Sequence, residues 1–203
     1  VIQSVIDKGY SDFTGKVAAA RKKSVEELKE LADAGLRMVY VGAESGDDEV
    51  LARVNKGETF ASTLDALEKL GAAGMTRSVM ILNGLGGKSL SQQHAENSAR
   101  LMNAAQPEFL STLVVSFPGG DARLRQNFAD FEPLDQQSLF IEVERLLQAL
   151  ELNDTTFRSD HASNYLVLKG QLGADKAALL EQVRRAIEQP RFAGLRQEWQ
   201  RGL

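Results

Sequence analysis

The sequence predicts an α/β fold in which helices alternate with the strands of a parallel sheet. Short apolar runs are each followed by a glycine-containing turn and then by a segment whose apolar residues have helical spacing. The unit recurs at roughly 35 to 40 residues, which is typical of βα units joined by right-handed crossovers. The helices before the first two strands end in similar phrases, at residues 33–36 and 72–75.

The first predicted helix begins at Ser24, where Ser24 and Glu27 have the spacing of a capping box. Its apolar stripe ends at Gly35, and a strand follows at 38–41. The later elements of the alternation are predicted helices at 47–54, 59–70 and 89–105 and strands at 76–82 and 109–117. Pro107 ends the last of these helices.

Beyond Gly120 the pattern becomes mainly helical, with apolar residues at helical spacing in 136–152 and 174–188. A polar loop, 158–165, lies between these helices. No low-complexity linker separates the two parts. We therefore expect a sheet-containing part at 1–120 and a mainly helical extension at 121–203 that packs on it as one unit.

The strongest site signal is the turn after the strand 38–41. The apolar run ends abruptly at Gly42, and Glu44 and Ser45 follow before the acidic start of the next helix at Asp47. Parallel sheets and barrels bind ligands at the carboxyl ends of their strands. We expect Glu44 and Ser45 to face a ligand there. A competing interpretation is that Glu44 caps the helix that begins near Asp47.

Composition excludes several classes of function. The 203 residues contain no cysteine, which excludes disulfides and thiolate metal or cluster sites built from this chain alone. The net charge of -4 argues against a bulk nucleic-acid or anionic-membrane surface. No apolar run approaches the roughly 20 residues of a membrane helix, and no signal peptide is visible. These features predict a soluble cytoplasmic protein.

The two histidines do not predict a metal site, because the usual zinc site needs three protein ligands or more. We expect His94, inside a helix, to be a core or surface histidine with satisfied hydrogen bonds. His161 lies in the polar loop with Arg158 and Asn164. These three side chains either reach a substrate over the mouth of the fold or form a network that ties the loop to the sheet.

Several phrases, in order, resemble the carboxyl-terminal two-thirds of a radical S-adenosylmethionine (radical SAM) enzyme. They are residues 23–31, 42–51, 54–57 and 81–87. The phrase 160–166 and the ending 195–203 are similar to one subgroup, distantly like the anaerobic coproporphyrinogen oxidases and the Elp3-type proteins.

The resemblance implies a partial TIM-like (β/α)6 barrel, with a CxxxCxxC loop after its first strand that holds a [4Fe-4S] cluster. This chain lacks that segment. In the family's order, residues 1–8 look like a helix remnant and 15–20 like the third strand. The strands that end at Gly42, Asn83 and Phe117 look like the fourth, fifth and sixth.

The resemblance also implies ligand-binding residues. Glu44 and Ser45 match the turn that contacts the ribose and amino-acid end of S-adenosylmethionine, and Lys56 matches a basic residue that binds a ligand carboxylate. The resemblance further implies ligand-binding residues near the adenine and the strand ends, namely Met80, Leu82, Asn83 and Phe117. Two simpler interpretations stay open: Lys56 is a solvated lysine at a helix end, and the glycines 84–87 form only a tight turn.

The complete parent would cleave S-adenosylmethionine reductively and take a hydrogen atom from an unknown substrate. This chain alone is expected to be inactive and to bind neither S-adenosylmethionine nor the cluster tightly. The alternative is a non-catalytic adenosyl-binding or scaffold module. Loss of the first strands would also open the sheet edge at 15–20, so we expect self-association there.

Overall fold

The computed structural model describes residues 23–117 and 119–201. The predicted helix remnant at 1–8 and the predicted strand at 15–20 lie outside these residues. The described helices are α1 Val25–Asp33, α2 Asp48–Arg53, α3 Phe60–Ala72, α4 Gly87–Ala105, α5 Ala122–Arg125, α6 Gln136–Ala149 and α7 Lys176–Glu188. The strands are β1 Met38–Glu44, β2 Thr76–Asn83, β3 Phe109–Val114, β4 Thr155–Ser159 and β5 Leu168–Leu172. Short 3-10 turns at Pro190–Phe192 and Glu198–Gln200 follow α7.

The first helix begins as its sequence predicts. The Ser24 hydroxyl accepts a hydrogen bond from the Glu27 N–H, and the Glu27 carboxylate accepts one from the Ser24 N–H at 2.8 Å. The capping box is therefore confirmed, and it satisfies two N–H groups that the helix itself cannot pair.

The five strands form one sheet in the order β1-β2-β3-β4-β5. The first four strands are parallel and β5 runs antiparallel to β4. The mixed α/β fold with a mostly parallel sheet is confirmed, and it fits a partial TIM-like barrel.

Strand register explains where the main core lies. Val41 is paired with Val79, Val79 with Leu110, and Leu110 with Phe157, so these buried side chains form one row on one face of the sheet. The same cluster contains apolar residues of α1, α3, α4, α6 and α7. Because side chains alternate along a strand, the residues between them point to the opposite face.

A second, smaller core lies beyond the carboxyl ends of the strands. It contains the buried residues Val50, Leu85, Leu90, Phe128 and Phe131. Val50 belongs to α2 and Leu90 to α4, while the phenylalanines follow α5. This cluster therefore fixes the turns after β1 and β2 against the segment that follows β3.

The extension after residue 120 has mainly helical elements, and it also contains two strands that the sequence analysis did not predict. It adds β4 and β5 to the sheet, and Arg158, which the sequence analysis placed in a loop, lies in β4. Thr155, Phe157 and Ser159 are buried while Arg158 is exposed, so the segment has the two-residue period of a strand. Five residues of mixed polarity are too few to show that period against the helical patterns on both sides.

Two strand ends also differ from the prediction. The strand predicted at 38–41 continues to Glu44, and the strand predicted at 109–117 ends at Val114. Within the described residues, the last hydrogen bond that joins this segment to β2 runs from the Val115 N–H to the Asn83 carbonyl, and Phe117 lies beyond the end of β3.

Candidate functional site

The end of β1 has an irregular backbone. Pairing with β2 shifts register between Gly42 and Glu44, and Glu44 has a φ of 65°. A positive φ is uncommon for a residue other than glycine, and such strain concentrates at functional sites. The structure therefore marks Glu44 as the residue of interest in the turn predicted to bind a ligand.

The carboxylate of Glu44 forms an ion pair with Lys56. Lys56 Nζ lies 3.0 Å from Glu44 Oε1, and both side chains are about one-quarter exposed, at 26% and 23%. A Cβ on Gly42 would collide with Glu44 Oε1, so the carboxylate folds back over Gly42. The pair lies on the face opposite the main core, because Val41 and Ala43 point to the core.

The other prediction for this carboxylate, that it caps α2, is wrong. Asp47 is the N-cap of α2, and its Oδ1 accepts a hydrogen bond from the Val50 N–H at 2.9 Å. Burial raises the pKa of Asp47, but hydrogen bonds from the Val50 N–H and the Asn97 and Gln93 amides outweigh it and hold the pKa below its ordinary value. Glu44 is therefore not needed by the helix.

Ser45 points into the protein. It is fully buried, and its Oγ lies 2.8 Å from His94 Nδ1 and accepts a hydrogen bond from the Asp47 N–H at 3.0 Å. The Nε2 atom of His94 faces the Leu82 carbonyl at 3.1 Å, so Nε2 carries the proton and Nδ1 accepts from the Ser45 hydroxyl. The prediction that His94 is a satisfied core histidine is confirmed. The Ser45 side chain faces this network, so it does not face a ligand as predicted.

Glu142 holds the turn after β2, and the sequence analysis did not identify it. Its side chain is 1% exposed; one oxygen accepts from the Gly84 N–H at 2.6 Å and the other from the Ser91 hydroxyl at 2.6 Å. A signal was present, because Glu142 lies three residues after Leu139 and four before Leu146, on the apolar face of its helix. A carboxylate on such a face needs buried partners.

The residues predicted near adenine divide between the two faces of the sheet. Met80 and Leu82 are partly buried on the face opposite the main core. Asn83 alternates with Ile81 and is 2% exposed on the helix side, where it lines a cavity of about 20 Å³ together with Ser159 and α6. Such a volume holds about one water molecule. The structure therefore separates Asn83 from Met80 and Leu82.

Phe117 is partly buried and packs against the second core. Its ring packs edge to face on Phe131, with centroids 5.6 Å apart and an interplanar angle of 84°. The side chain is thus held by aromatic packing beyond the end of β3.

The loop predicted to reach a substrate lies at the carboxyl edge of the sheet, as expected. Asn164 accepts a hydrogen bond from the Val114 N–H at 2.9 Å and donates to the Thr112 carbonyl and the Ser159 hydroxyl. It is 2% exposed, so its amide ties the loop to the end of β3. This corrects the substrate-binding prediction for Asn164, because its N–H groups are both donated within the protein.

His161 and Arg158 are arranged differently from Asn164. His161 is exposed, and its Nδ1 accepts from the Ser163 N–H at 3.1 Å. Arg158 lies on the face of the sheet opposite the main core, with its guanidinium 5.4 Å from the centroid of the Phe109 ring. The three residues therefore do not converge on one point.

Within the described residues no group of three or more His, Cys, Asp or Glu side chains could hold a metal ion. No helix in this part of the chain is both long and apolar enough to cross a bilayer.

A comparison with known families covers part of this site. Residues 13–102 match the model of the Radical SAM superfamily. This segment, less than half of the chain, is similar to the radical SAM superfamily. It includes the Glu44–Lys56 pair, Met80, Leu82 and Asn83, whereas Phe117 and the loop after β4 lie beyond it. Complete radical SAM enzymes use S-adenosylmethionine and a [4Fe-4S] cluster. A search of curated proteins finds no match to the chain.

Proposed function

We propose that this chain is the carboxyl-terminal part of a radical SAM enzyme whose complete form cleaves S-adenosylmethionine reductively and takes a hydrogen atom from a substrate. One observation carries the proposal. In the matched segment Glu44 has a positive backbone φ, and its partly exposed carboxylate lies beside the ammonium of Lys56 at the carboxyl end of a parallel strand. Ligands of parallel α/β folds bind at that edge.

The residues present fit the polar end of S-adenosylmethionine. Glu44 can accept hydrogen bonds from the two ribose hydroxyls, and Lys56 can pair with the ligand carboxylate. Each side chain currently satisfies the other. Because both are about one-quarter exposed, exchanging their mutual bond for ligand contacts costs little.

The neighbouring strand provides apolar surface on the same face. Met80 is paired with Gly42 in the β1–β2 ladder, so its side chain lies beside the carboxylate that folds over Gly42. Leu82 follows on the same face of β2. We infer that these two side chains contact the adenine. When bound, S-adenosylmethionine would supply the adenosyl carbon that accepts the substrate's hydrogen atom.

The cluster does not fit this chain. The sequence has no cysteine, so thiolate ligands for iron would have to come from residues outside these 203. The same observation favours a second candidate, a non-catalytic module that binds adenosyl compounds or serves as a scaffold. Iron and sulfide content after anaerobic reconstitution separates the two candidates.

The test is the affinity for S-adenosylhomocysteine, which cannot be cleaved reductively in the same way. We expect Glu44→Ala to weaken binding by about 1 to 3 kcal/mol, the usual cost of removing a charged hydrogen-bond partner. Calorimetry should use a protein that joins this segment to the cluster-binding strands. The matched control is Glu68→Ala, an exposed glutamate of α3. Equal affinities of the two variants would exclude Glu44 from the binding site.

A further inference from the structure

The last described segment of the chain encloses a pocket outside the radical SAM site. Residues 190–198 fold past Tyr165 and the first turn of α6 and leave a cavity of about 360 Å³. Its lining includes Gln136, Tyr165, Arg191, Arg196, Gln197 and Glu198. This volume is within the range of roughly 300 to 1,000 Å³ that is typical of small-molecule sites.

A clasp of three side chains holds one wall of the pocket. The Tyr165 hydroxyl donates to Glu198 Oε1 at 2.5 Å, and Arg201 Nη1 pairs with Glu198 Oε2 at 2.7 Å. The Arg201 guanidinium also lies 3.7 Å from the centroid of the Tyr165 ring, and its side chain is only 5% exposed. Both oxygens of Glu198 are therefore occupied, and Arg201 offsets its negative charge.

The clasp also shifts the pKa values of two of its groups, Tyr165 and Glu198. Burial, and then the hydrogen bond to Glu198, raise the pKa of Tyr165. The same bond lowers the pKa of Glu198, so this carboxyl is ionised and Tyr165 neutral at neutral pH. The wall is thus in a single charge state near pH 7.

Two arginines of the pocket have no carboxylate partner among the described residues. Arg196 donates to three carbonyls, those of His161 at 2.5 Å, Asn164 at 3.2 Å and Asp160 at 3.1 Å. Carbonyls orient a guanidinium but do not neutralise its charge. Arg191 is exposed, and within the described chain it has neither a hydrogen-bond nor an ion-pair partner for its side chain. The pocket is therefore net positive, with one cation held rigidly and one free.

We propose that this pocket binds a small organic oxyanion, a carboxylate or phosphate ester, through Arg191 and Arg196. Guanidinium groups match the two oxygens of such anions with paired N–H donors. The ring of Tyr165 supplies an apolar wall for the rest of the ligand. This site is separate from the Glu44–Lys56 pair, so the inference does not rest on the proposed function.

The test is a titration of the 15N-labelled full chain with inorganic phosphate and with succinate, followed by NMR at constant ionic strength. We expect saturable shifts of the amide signals of residues 136 and 191–198. Succinamide, which has the shape of succinate without its charge, should cause no such shifts. Response to phosphate alone, or to succinate alone, supports the site and identifies the oxyanion it takes. Absence of saturable shifts with both anions, or equal shifts with succinamide, would overturn the proposal.

Substitution of the free arginine gives a second measurement. Arg191→Gln should raise the dissociation constant about fivefold, which corresponds to the free energy of one exposed charge contact. Arg123→Gln removes an exposed arginine of α5 and is the matched control, expected to leave the constant unchanged. Circular dichroism melts establish that both variants fold. If the dissociation constant changes equally in Arg191→Gln and Arg123→Gln, binding is due to general charge attraction and the proposed site is excluded.

Discussion

At the scale of single residues, buried polar groups connect the strand ends. Glu142 accepts hydrogen bonds from the turn after β2 and from Ser91 on α4, while Ser45 and His94 join the turn after β1 to the Leu82 carbonyl. Glu142 Oε1 lies 3.9 Å from His94 Nε2. The two turns that carry the candidate site are therefore positioned by one buried polar cluster.

We predict that Glu142→Ala lowers the free energy of unfolding by about 2 to 4 kcal/mol, because it leaves two buried donors without acceptors. Urea unfolding of the full chain measures this. Glu142→Gln keeps one acceptor and should lose less. Glu181→Ala, on the exposed face of α7, is the control and should change stability little. If Glu142→Ala lowers the free energy of unfolding no more than Glu181→Ala does, the role given to Glu142 is contradicted.

At the scale of elements, the short helix α2 depends on its cap. It has six residues, too few to be stable alone, and Asp47 links its first turn to α4 through the Asn97 and Gln93 amides. Lys56, which pairs with Glu44, follows this helix by three residues. The position of α2 therefore helps to set where Lys56 lies relative to Glu44.

The lowered pKa of Asp47 predicts a pH dependence of stability. A carboxyl whose folded pKa lies below its unfolded value contributes stability above the unfolded pKa, about 4, and loses it as the pH falls through the folded pKa. We expect Asp47→Asn, which keeps a capping oxygen, to show a smaller fall in melting temperature between pH 6 and pH 3. Asp33→Asn, an exposed control, should behave like the unchanged chain. Identical pH profiles for all three would exclude this role of Asp47.

At the scale of the whole molecule, the edge of the sheet at β1 bears on whether the chain self-associates. Within the described residues β1 is paired only with β2, and its residue Tyr40 is 61% exposed. Open strand edges template pairing with other chains. The edge predicted at 15–20 lies outside the described residues; we propose the edge of β1 as a further surface for self-association.

We predict a molar mass that rises with concentration in light scattering after size exclusion. Tyr40→Lys places a charge on the edge strand and should shift the chain toward the monomer. Phe192→Lys, at another exposed aromatic residue, is the control and should not. A constant monomer mass at high concentration would count against association through this edge.

The sequence by itself determined the elements that depend on neighbouring residues. The capping box at Ser24 and the alternation of helices with parallel strands follow from spacing alone, whereas the sequence left His94 either in the core or at the surface. The radical SAM resemblance came from several short phrases in order; the family match covers those between residues 23 and 87 but not those at 160–166 and 195–203. Local hydrogen bonds and a period of two or 3.6 residues act within one element, so they are visible in the chain.

Only the tertiary structure decided which polar groups meet. Glu44 pairs with Lys56 across 12 residues, Gly84 with Glu142 across 58, and Val114 with Asn164 across 50. Such pairs depend on strand register and crossover length, which no local pattern contains. For the same reason β4 was missed: its strand conformation depends on pairing with β3, and its own five residues do not impose it.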